Sequence, residues 1–201
     1  MSTLKQKTFS GVIWSSVQRF GSMAITFVSS IVLARLLSPS DIACIGMLMI
    51  FISLSNTFID GGFGSALIQK KQPTREDYST IFFWNIFLSI IVYAILFVSS
   101  SAISRFYKIP LLADILKVQG IVLPFNSLCI IQHNQLRKQF QFKKLAIVEI
   151  TSATLSLAVA IVSVCYGLGV WSLVAQQLSL GLFKAILLWL LNSWLPILWT
   201  I

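Results

Sequence analysis

The sequence predicts an all-α integral membrane protein, a six-transmembrane-helix bundle that forms a single membrane domain over residues 1–201. Three observations support this prediction. Hydrophobic residues make up 57% of the chain and charged residues 10%, with a mean hydropathy of +0.88, so there is too little polar surface for a soluble domain. The charges fall in short segments between apolar runs. Each run approaches the roughly 20 residues that a helix needs to cross a bilayer.

The net charge of +9 does not indicate a nucleic-acid partner. Basic residues that lie in short loops between apolar runs are more simply explained as determinants of membrane topology. The three cysteines, Cys44, Cys129 and Cys165, lie in apolar runs without metal-ligand spacing. We therefore expect neither a disulfide framework nor a bound metal or cofactor.

The first predicted span, residues 9–33, follows a segment that carries Lys5 and Lys7. No small-residue cleavage site closes a short apolar core, so we expect an uncleaved helix rather than a signal peptide. Arg19 is the only charge in this span. A cation near mid-membrane costs roughly 2.5 to 3.5 kcal/mol and normally faces a bundle interior or a water-filled cavity. Arg19 is therefore a candidate cavity-lining cation, unless it reaches the headgroups from near the helix end.

The second predicted span, residues 42–59, lies between the polar motifs LARLLSPSD and DGGFGSALIQ. The first motif contains Arg35 and a helix stop and restart, at which Ser40 or Asp41 is placed to cap the second helix. The second motif begins with Asp60 and continues with glycines that permit a bend.

The third predicted span, residues 78–103, follows a Thr-x-x-Asp sequence with the spacing of a helix cap. The fourth, residues 111–131, begins with Asp114 and Lys117 on one helix face. These two side chains either pair near the membrane surface or leave Lys117 available to the interior. A basic loop, residues 132–144, follows; its interleaved aromatic residues suit an anionic lipid surface.

The fifth and sixth predicted spans, residues 145–166 and 170–191, are separated by a Gly-Leu-Gly break. Glu149 and Lys184 then lie one or two turns inside the same membrane face, where each can reach the surface or face the interior. The sequence stops at Ile201 without a polar tail. We therefore expect a truncated chain.

The cations are divided unevenly between the two sides of this topology. Nine lie in the amino-terminal segment and after the second and fourth spans: Lys5, Lys7, Lys70, Lys71, Arg75, Arg137, Lys138, Lys143 and Lys144. Three lie on the opposite side: Arg35, Arg105 and Lys108. The positive-inside rule places the side with nine cations in the cytoplasm, so both termini are predicted to be cytoplasmic.

Several motifs occur together in a recognisable order: GVIWSSVQRFG, LARLLSPSD, DGGFGSALIQKK with PTREDYSTIFFWN, SRFYKIP, LRKQFQFKKLA and GLGVWSLVAQQ. In this order the chain resembles the polysaccharide flippases of the multidrug/oligosaccharidyl-lipid/polysaccharide exporter superfamily, of the capsule or colanic-acid type. The resemblance extends over residues 11–196. Family members have two lobes, and this chain corresponds to the amino-terminal lobe only.

The resemblance implies a V-shaped transporter that alternates between inward- and outward-facing states. It would carry an undecaprenyl-pyrophosphate-linked repeat unit across the bacterial inner membrane for O-antigen, capsule or exopolysaccharide synthesis. The charges and hydroxyls of such a molecule cannot enter hydrocarbon without compensating partners. Arg19, Lys117 and Lys184 are the candidate substrate-binding cations of the lumen. Arg35 and Asp60 lie in family motifs at helix ends and are assigned to gating or end-packing, although Asp60 could equally cap or pair locally.

Other functions remain as alternatives. A drug or cation antiporter of the same superfamily would be expected to place carboxylates inside the bundle, but Glu149 and Asp114 both lie near predicted span ends. A membrane enzyme of polysaccharide assembly would need clustered acids or histidines in a sizeable loop. The chain has six acids and one histidine, His133, so we expect no enzyme activity.

A further alternative is an inactive half, or a half that works by self-association or with a separate second lobe. A single lobe would expose to lipid the polar lining that normally faces the other lobe. We therefore expect an isolated lobe to oligomerise or to be degraded.

Overall fold

Long α-helices dominate the computed structural model, which describes residues 2–62, 64, 67, 69–70, 73–192 and 194–196. The helices are α1 (Ser2–Leu36), α2 (Pro39–Asp60), α3 (Arg75–Tyr107), α4 (Leu111–Gln119), α5 (Val122–Lys138), α6 (Phe142–Cys165) and α7 (Val170–Leu191). Within the described residues there is no strand, and six helical stretches are long and apolar enough to cross a membrane. The predicted all-α fold with six spans is confirmed.

Helix α2 begins with a capping box. The Ser38 hydroxyl accepts a hydrogen bond from the Asp41 amide, and the Asp41 carboxylate accepts one from the Ser38 amide. The cap is therefore Ser38 rather than the predicted Ser40 or Asp41. Pro39 explains the earlier start, because its fixed φ suits the first helical position. The helix ends at Asp60, and the next residue, Gly61, has a φ of 49°, the left-handed conformation that glycine adopts readily.

Helix α3 has the predicted cap at its amino terminus. The Thr74 amide donates to Asp77 Oδ2 at 2.8 Å, and the Asp77 amide donates to Thr74 Oγ1 at 3.2 Å. This reciprocal pair satisfies two amides that a helix otherwise leaves without partners. The helix continues to Tyr107, beyond the predicted end of the third span at residue 103.

The predicted fourth span is not one continuous helix, because it is broken between α4 and α5. Gly120 lies against the Tyr93 ring so closely that a Cβ atom there would be 2.7 Å from Tyr93 Cδ2. Four residues later, Pro124 lacks the amide that would bond to the Gly120 carbonyl. The missing amide accounts for the interruption, which is short: Gly120 and Ile121 keep right-handed helical angles.

The predicted basic loop at residues 132–144 is also corrected. Helix α5 continues to Lys138 and α6 begins at Phe142, so only residues 139–141 connect them. The face formed by Ile131, Gln135 and Leu136 is buried in the bundle. Its burial favours helical structure through the segment that its polar composition suggested was a loop.

The helices pack as a connected series. Helix α6 lies between α1 and α7, α7 also packs on α5, α5 on α3, and α3 on α4. Helix α2 contacts α3, α4, α5 and α7 along one face and is exposed along another. Its Leu48 and Ile59 belong to the main apolar core together with Leu112, Leu116 and Leu123. Helix α1 packs chiefly on α6 and leaves a wide apolar face exposed.

One end of the bundle carries half of the cations whose side chains are described. Lys138 Nζ donates to the carbonyls of Lys70 and of Leu67, the latter at 3.0 Å, and so ties the segment after α2 to the end of α5. We call this the cation-rich end; it carries Lys70, Arg75, Arg137, Lys138, Lys143 and Lys144. Arg35, Arg105 and Lys108 lie at the other end. Lys71 and the side chains of Lys5 and Lys7 lie outside the part that is described.

Candidate functional site

A polar groove lies between α2 and α7, with a cavity volume of about 580 Å³. Its polar lining comes from Ser53, Asn56, Thr57 and Asp60 of α2 and Gln177 of α7. The α2 residues recur at three- and four-residue spacing, which places them on one helix face. A face of this kind within a membrane span provides hydrogen-bonding groups where lipid provides none.

Hydrogen bonds between amide side chains connect the residues that line the groove to neighbouring helices. Asn126 Nδ2 donates to Asn56 Oδ1 at 3.1 Å and joins α5 to α2. Gln119 Nε2 donates to Gln177 Oε1 at 2.6 Å and joins α4 to α7. Each bond also fixes the orientation of an amide that lines the groove.

A third amide bond connects α1 to the same part of the bundle. Gln176, next to Gln177 on α7, donates through Nε2 to Ser29 Oγ at 2.6 Å. These amides were not among the residues predicted from the sequence, since the prediction considered only charged residues within the spans. Uncharged amides inside apolar runs, such as the Gln-Gln pair of α7, were the available signal.

The predicted lumen cation Lys184 is paired with a carboxylate. Its Nζ lies 2.7 Å from Glu149 Oε2, and the two side chains are 27% and 21% exposed. Each residue is seven positions from the helix end at the cation-rich end, or about 10 Å at the α-helical rise. The ion pair neutralises both charges at a depth where an isolated charge is costly.

The predicted lumen cation Lys117 is also paired. Its Nζ lies 3.5 Å from Asp114 Oδ1 and 5.7 Å from the centre of the Phe97 ring. Helix α4 begins shortly after the end of α3, so this pair lies toward the end opposite the cation-rich end. The local pairing considered from the sequence is therefore present, and Lys117 and Lys184 lie toward opposite ends of the bundle.

Arg19 is exposed on α1. Two residues further on, Gly21 packs on α6, where a Cβ atom would lie 2.9 Å from Ile150 Cδ1. Arg19 is about 200° around the helix from that contact, and so projects away from α6. The structure thus leaves Arg19 apart from the other two predicted cations, with its role as a substrate contact still a prediction.

The two predicted gating residues occupy helix ends. Arg35 lies in the last turn of α1, where a cation complements the negative end of the helix dipole. Asp60 is the last residue of α2 and lines the polar groove. Asp60 is thereby brought to the candidate site, whereas its assignment to gating stays a prediction.

The fold and the groove define a multi-pass membrane protein with a polar cavity between its helices. The chain matches the family described as polysaccharide biosynthesis protein over residues 32–200, and it belongs to that family. The family resemblance inferred from the sequence motifs is confirmed. No solved structure matches the chain.

Curated relatives include proteins named for transport and for polysaccharide synthesis. The chain is 24% identical to the succinoglycan biosynthesis transport protein ExoT of Rhizobium meliloti (strain 1021), over 96% of this chain and 40% of that protein. It is 26% identical to the teichuronic acid biosynthesis protein TuaB of Bacillus subtilis (strain 168), over 98% and 41%. It is 27% identical to the lipopolysaccharide biosynthesis protein WzxC of Escherichia coli (strain K12), over 77% and 31%. The chain thus spans about two fifths of the length of the first two relatives.

Proposed function

We propose that this chain is the amino-terminal lobe of an exporter that moves polyprenyl-pyrophosphate-linked polysaccharide repeat units across the bacterial inner membrane. The observation that carries the proposal is the polar groove between α2 and α7, in a chain whose relatives include a succinoglycan transport protein. Transport requires no bond to be made or broken, so the proposed role is not enzymatic.

The chemistry of the groove suits the sugar part of such a substrate. Asn56 and Gln177 offer amide groups, and the Ser53 hydroxyl can both donate and accept. The Thr57 hydroxyl donates to the Ser53 carbonyl at 3.0 Å and can still accept. Sugar hydroxyls need partners of both kinds when they leave water. The groove opens along α2, so a polyprenyl tail could remain in the lipid while the sugars occupy the groove.

The charged part of the substrate needs a cation, and Arg19 is the proposed source. Lys117 and Lys184 already have carboxylate partners, whereas Arg19 is exposed and takes part in none of the ion pairs found among the described residues. A pyrophosphate beside Arg19 would gain a charge-assisted hydrogen bond. This refines the three-cation lining suggested by the sequence to one principal cation.

A second lobe is part of the proposal. The exposed apolar face of α1 and the open groove would both be covered by a partner lobe, supplied by a longer protein, by a separate chain or by a second copy of this chain. We propose that the cation-rich end faces the cytoplasm, as the positive-inside rule predicts.

Deletion of the gene tests the proposed transport. We expect surface polysaccharide to fall and lipid-linked repeat units to accumulate with their sugars accessible only from the cytoplasmic leaflet. Complementation should fail with Arg19→Ala and succeed with Arg19→Lys, provided that both variants reach the membrane at equal levels. Loss of polysaccharide without accumulation of the lipid-linked unit would instead indicate a biosynthetic enzyme.

A cation-coupled antiporter is the second candidate, and Asp60 is the observation that favours it. Asp60 places a carboxylate in the groove, as ion-coupled transport would need. In that case Asp60→Asn would abolish transport driven by a proton or sodium gradient in vesicles. Unchanged transport by this variant would remove the candidate.

A further inference from the structure

A second cavity lies at the cation-rich end, apart from the polar groove. It has a volume of about 330 Å³ and is formed where the first turns of α3 and α6 meet the end of α5 and the residues after α7. We call it the end pocket. Its lining includes Arg75, Tyr78, Gln141, Lys144, Asn192 and Trp194. None of the proposed transport steps uses these residues.

The charges of the end pocket are of one sign. Arg75 and Lys144 contribute two cations, and no carboxylate is among the lining residues that the structure describes. Two carboxylates lie in the same helix turn as Arg75. Asp77 is bound to Lys70 Nζ at 2.6 Å and to the cap of α3, and Glu76 is exposed and is not part of the pocket lining. Two cations without an acidic partner in one cavity favour an anionic occupant.

The first turn of α6 adds further positive potential. This helix begins at Phe142, and its N-cap residue, Gln141, makes no side-chain capping bond. An uncapped helix amino terminus presents amide hydrogens and the positive end of the helix dipole to a nearby anion. Lys144 lies in the same turn and donates to the Leu191 carbonyl at 3.0 Å, which leaves further ammonium hydrogens for a ligand.

Buried polar groups of the pocket residues also lack protein partners. Trp194 is 7% exposed, and its indole Nε1 has no acceptor. The Gln141 Oε1 atom has no donor. Buried indole and amide groups are normally hydrogen-bonded. The unpaired indole N–H of Trp194 is a donor suited to a phosphate oxygen, whereas the Gln141 oxygen is an acceptor and adds nothing to the binding of an anion.

The remaining walls are rigid. Asn192 donates to Gln135 Oε1 at 2.9 Å and also to Gln132 Oε1, so its amide is held from behind. The Tyr78 and Trp194 rings pack edge to face with centroids 6.2 Å apart. The pocket is therefore held in shape by contacts within the protein.

We propose that the end pocket binds the phosphate group of an amphiphile or of a small soluble molecule, through Arg75 and Lys144. The phosphate could belong to an anionic phospholipid headgroup, to a polyprenyl phosphate or to free phosphate, since all three present the same oxyanion chemistry. The proposal does not depend on the direction or the substrate of transport.

Native mass spectrometry of the purified chain in detergent tests this proposal with matched lipid pairs. One pair is phosphatidylglycerol and diacylglycerol with the same acyl chains; the other is undecaprenyl phosphate and undecaprenol. We expect the phosphate-bearing member of at least one pair to bind about tenfold more tightly, or inorganic phosphate alone to bind and compete. The probe that binds identifies the source of the phosphate.

Three variants test whether the phosphate binds in the end pocket. Arg75→Gln and Lys144→Gln should each weaken phosphate-dependent binding about tenfold, and Arg75→Lys should restore much of it. Lys143→Gln is the matched control, because Lys143 is the next residue but lies over the Trp14 ring, 5.5 Å from its centre. Thermal unfolding of each variant checks that the fold is intact.

Equal binding of phosphate-bearing and phosphate-free lipids, with no binding of inorganic phosphate, would overturn the proposal. So would an equal loss in Lys143→Gln and in the two pocket variants. These outcomes concern purified protein and do not depend on polysaccharide export, so failure here is distinct from failure of the proposed transport function.

Discussion

The polar groove and the end pocket are both polar cavities, yet they differ in charge. The groove combines the Asp60 carboxylate with the amides of Asn56 and Gln177, and its described lining contains no cation. The end pocket combines Arg75 and Lys144 with neutral donors, and its described lining contains no carboxylate. Amides, hydroxyls and one carboxylate thus line the groove, while two cations line the pocket at the bundle end.

The physical reason lies in the cost of burying charge. A neutral amide that keeps one hydrogen bond can be placed within a membrane span at modest cost, whereas an unpaired ammonium or guanidinium group cannot. Lys184 shows the alternative solution, because it lies within a span only together with Glu149. The two cavities therefore suit different ligand groups: neutral hydrogen-bonding groups in the groove and anions in the end pocket.

The largest expected loss of stability comes from a substitution in the wall of the end pocket, at Asn192. Asn192→Leu leaves the buried amide oxygens of Gln132 and Gln135 without their donor. Each such group costs about 1 to 3 kcal/mol, so we expect the free energy of unfolding to fall by about 3 kcal/mol. Denaturant unfolding in detergent, followed by circular dichroism, measures the change. A loss no larger than that of Asn56→Leu in the groove would show that the two regions are equally tolerant.

The second largest loss of stability is expected when the ion pair between Glu149 and Lys184 is broken. Glu149→Gln leaves Lys184 charged inside the span, and we expect a loss of about 2 kcal/mol. The double variant Glu149→Gln with Lys184→Gln removes the uncompensated charge and should be more stable than the single variant. Thermal unfolding of the three proteins measures the coupling; additive losses would show that the ion pair does not matter.

The groove should tolerate substitution better. Asn56→Leu removes two hydrogen bonds: the one that Asn126 donates to Asn56 Oδ1 and the one that Asn56 Nδ2 donates to the Ile52 carbonyl of the same helix. Side-chain hydrogen bonds between helices within membranes contribute about 0.6 kcal/mol on average. We expect a stability loss of about 1 kcal/mol or less in the same unfolding assay. A loss matching that of Asn192→Leu would mean that the groove is a structural network rather than an adaptable binding surface.

The smallest expected effect is a difference in water access between two neighbouring positions of α2. Substituting either position should leave the stability of the protein almost unchanged. Thr57 and Phe58 are neighbouring exposed residues of α2, but only Thr57 lines the groove. With the three native cysteines changed to Ser, Thr57→Cys should react faster with a charged maleimide in vesicles than Phe58→Cys. Equal rates would mean that the groove does not admit water.

Local features of the fold could be predicted from the sequence because they depend on neighbouring residues. The Thr74 cap and the glycine-flanked turn before α7 were found from spacing and composition alone. The interruption at Gly120 and Pro124 was not predicted, although both residues are visible in the sequence; the contact of Gly120 with Tyr93 of another helix could not be read from it. The extension of α5 to Lys138 was missed because its buried amides resemble loop residues in composition.

The candidate site was harder to predict for a similar reason. Asn56 and Asn126 are 70 residues apart, and Gln119 and Gln177 are 58 apart. Nothing local to either residue identifies its partner. Among the residues predicted from the sequence, Asp60 lines the groove, whereas Lys117 and Lys184 are paired elsewhere.

The sequence by itself determined the membrane-spanning class, the six spans and the family. Hydropathy over a bilayer's thickness and ordered motifs are properties of the chain that need no knowledge of contacts. The tertiary structure decided which charges are neutralised, which amides line the groove, and that Arg75 and Lys144 share a pocket. Those outcomes depend on how each helix is rotated against its neighbours, and only packing between distant segments determines that rotation.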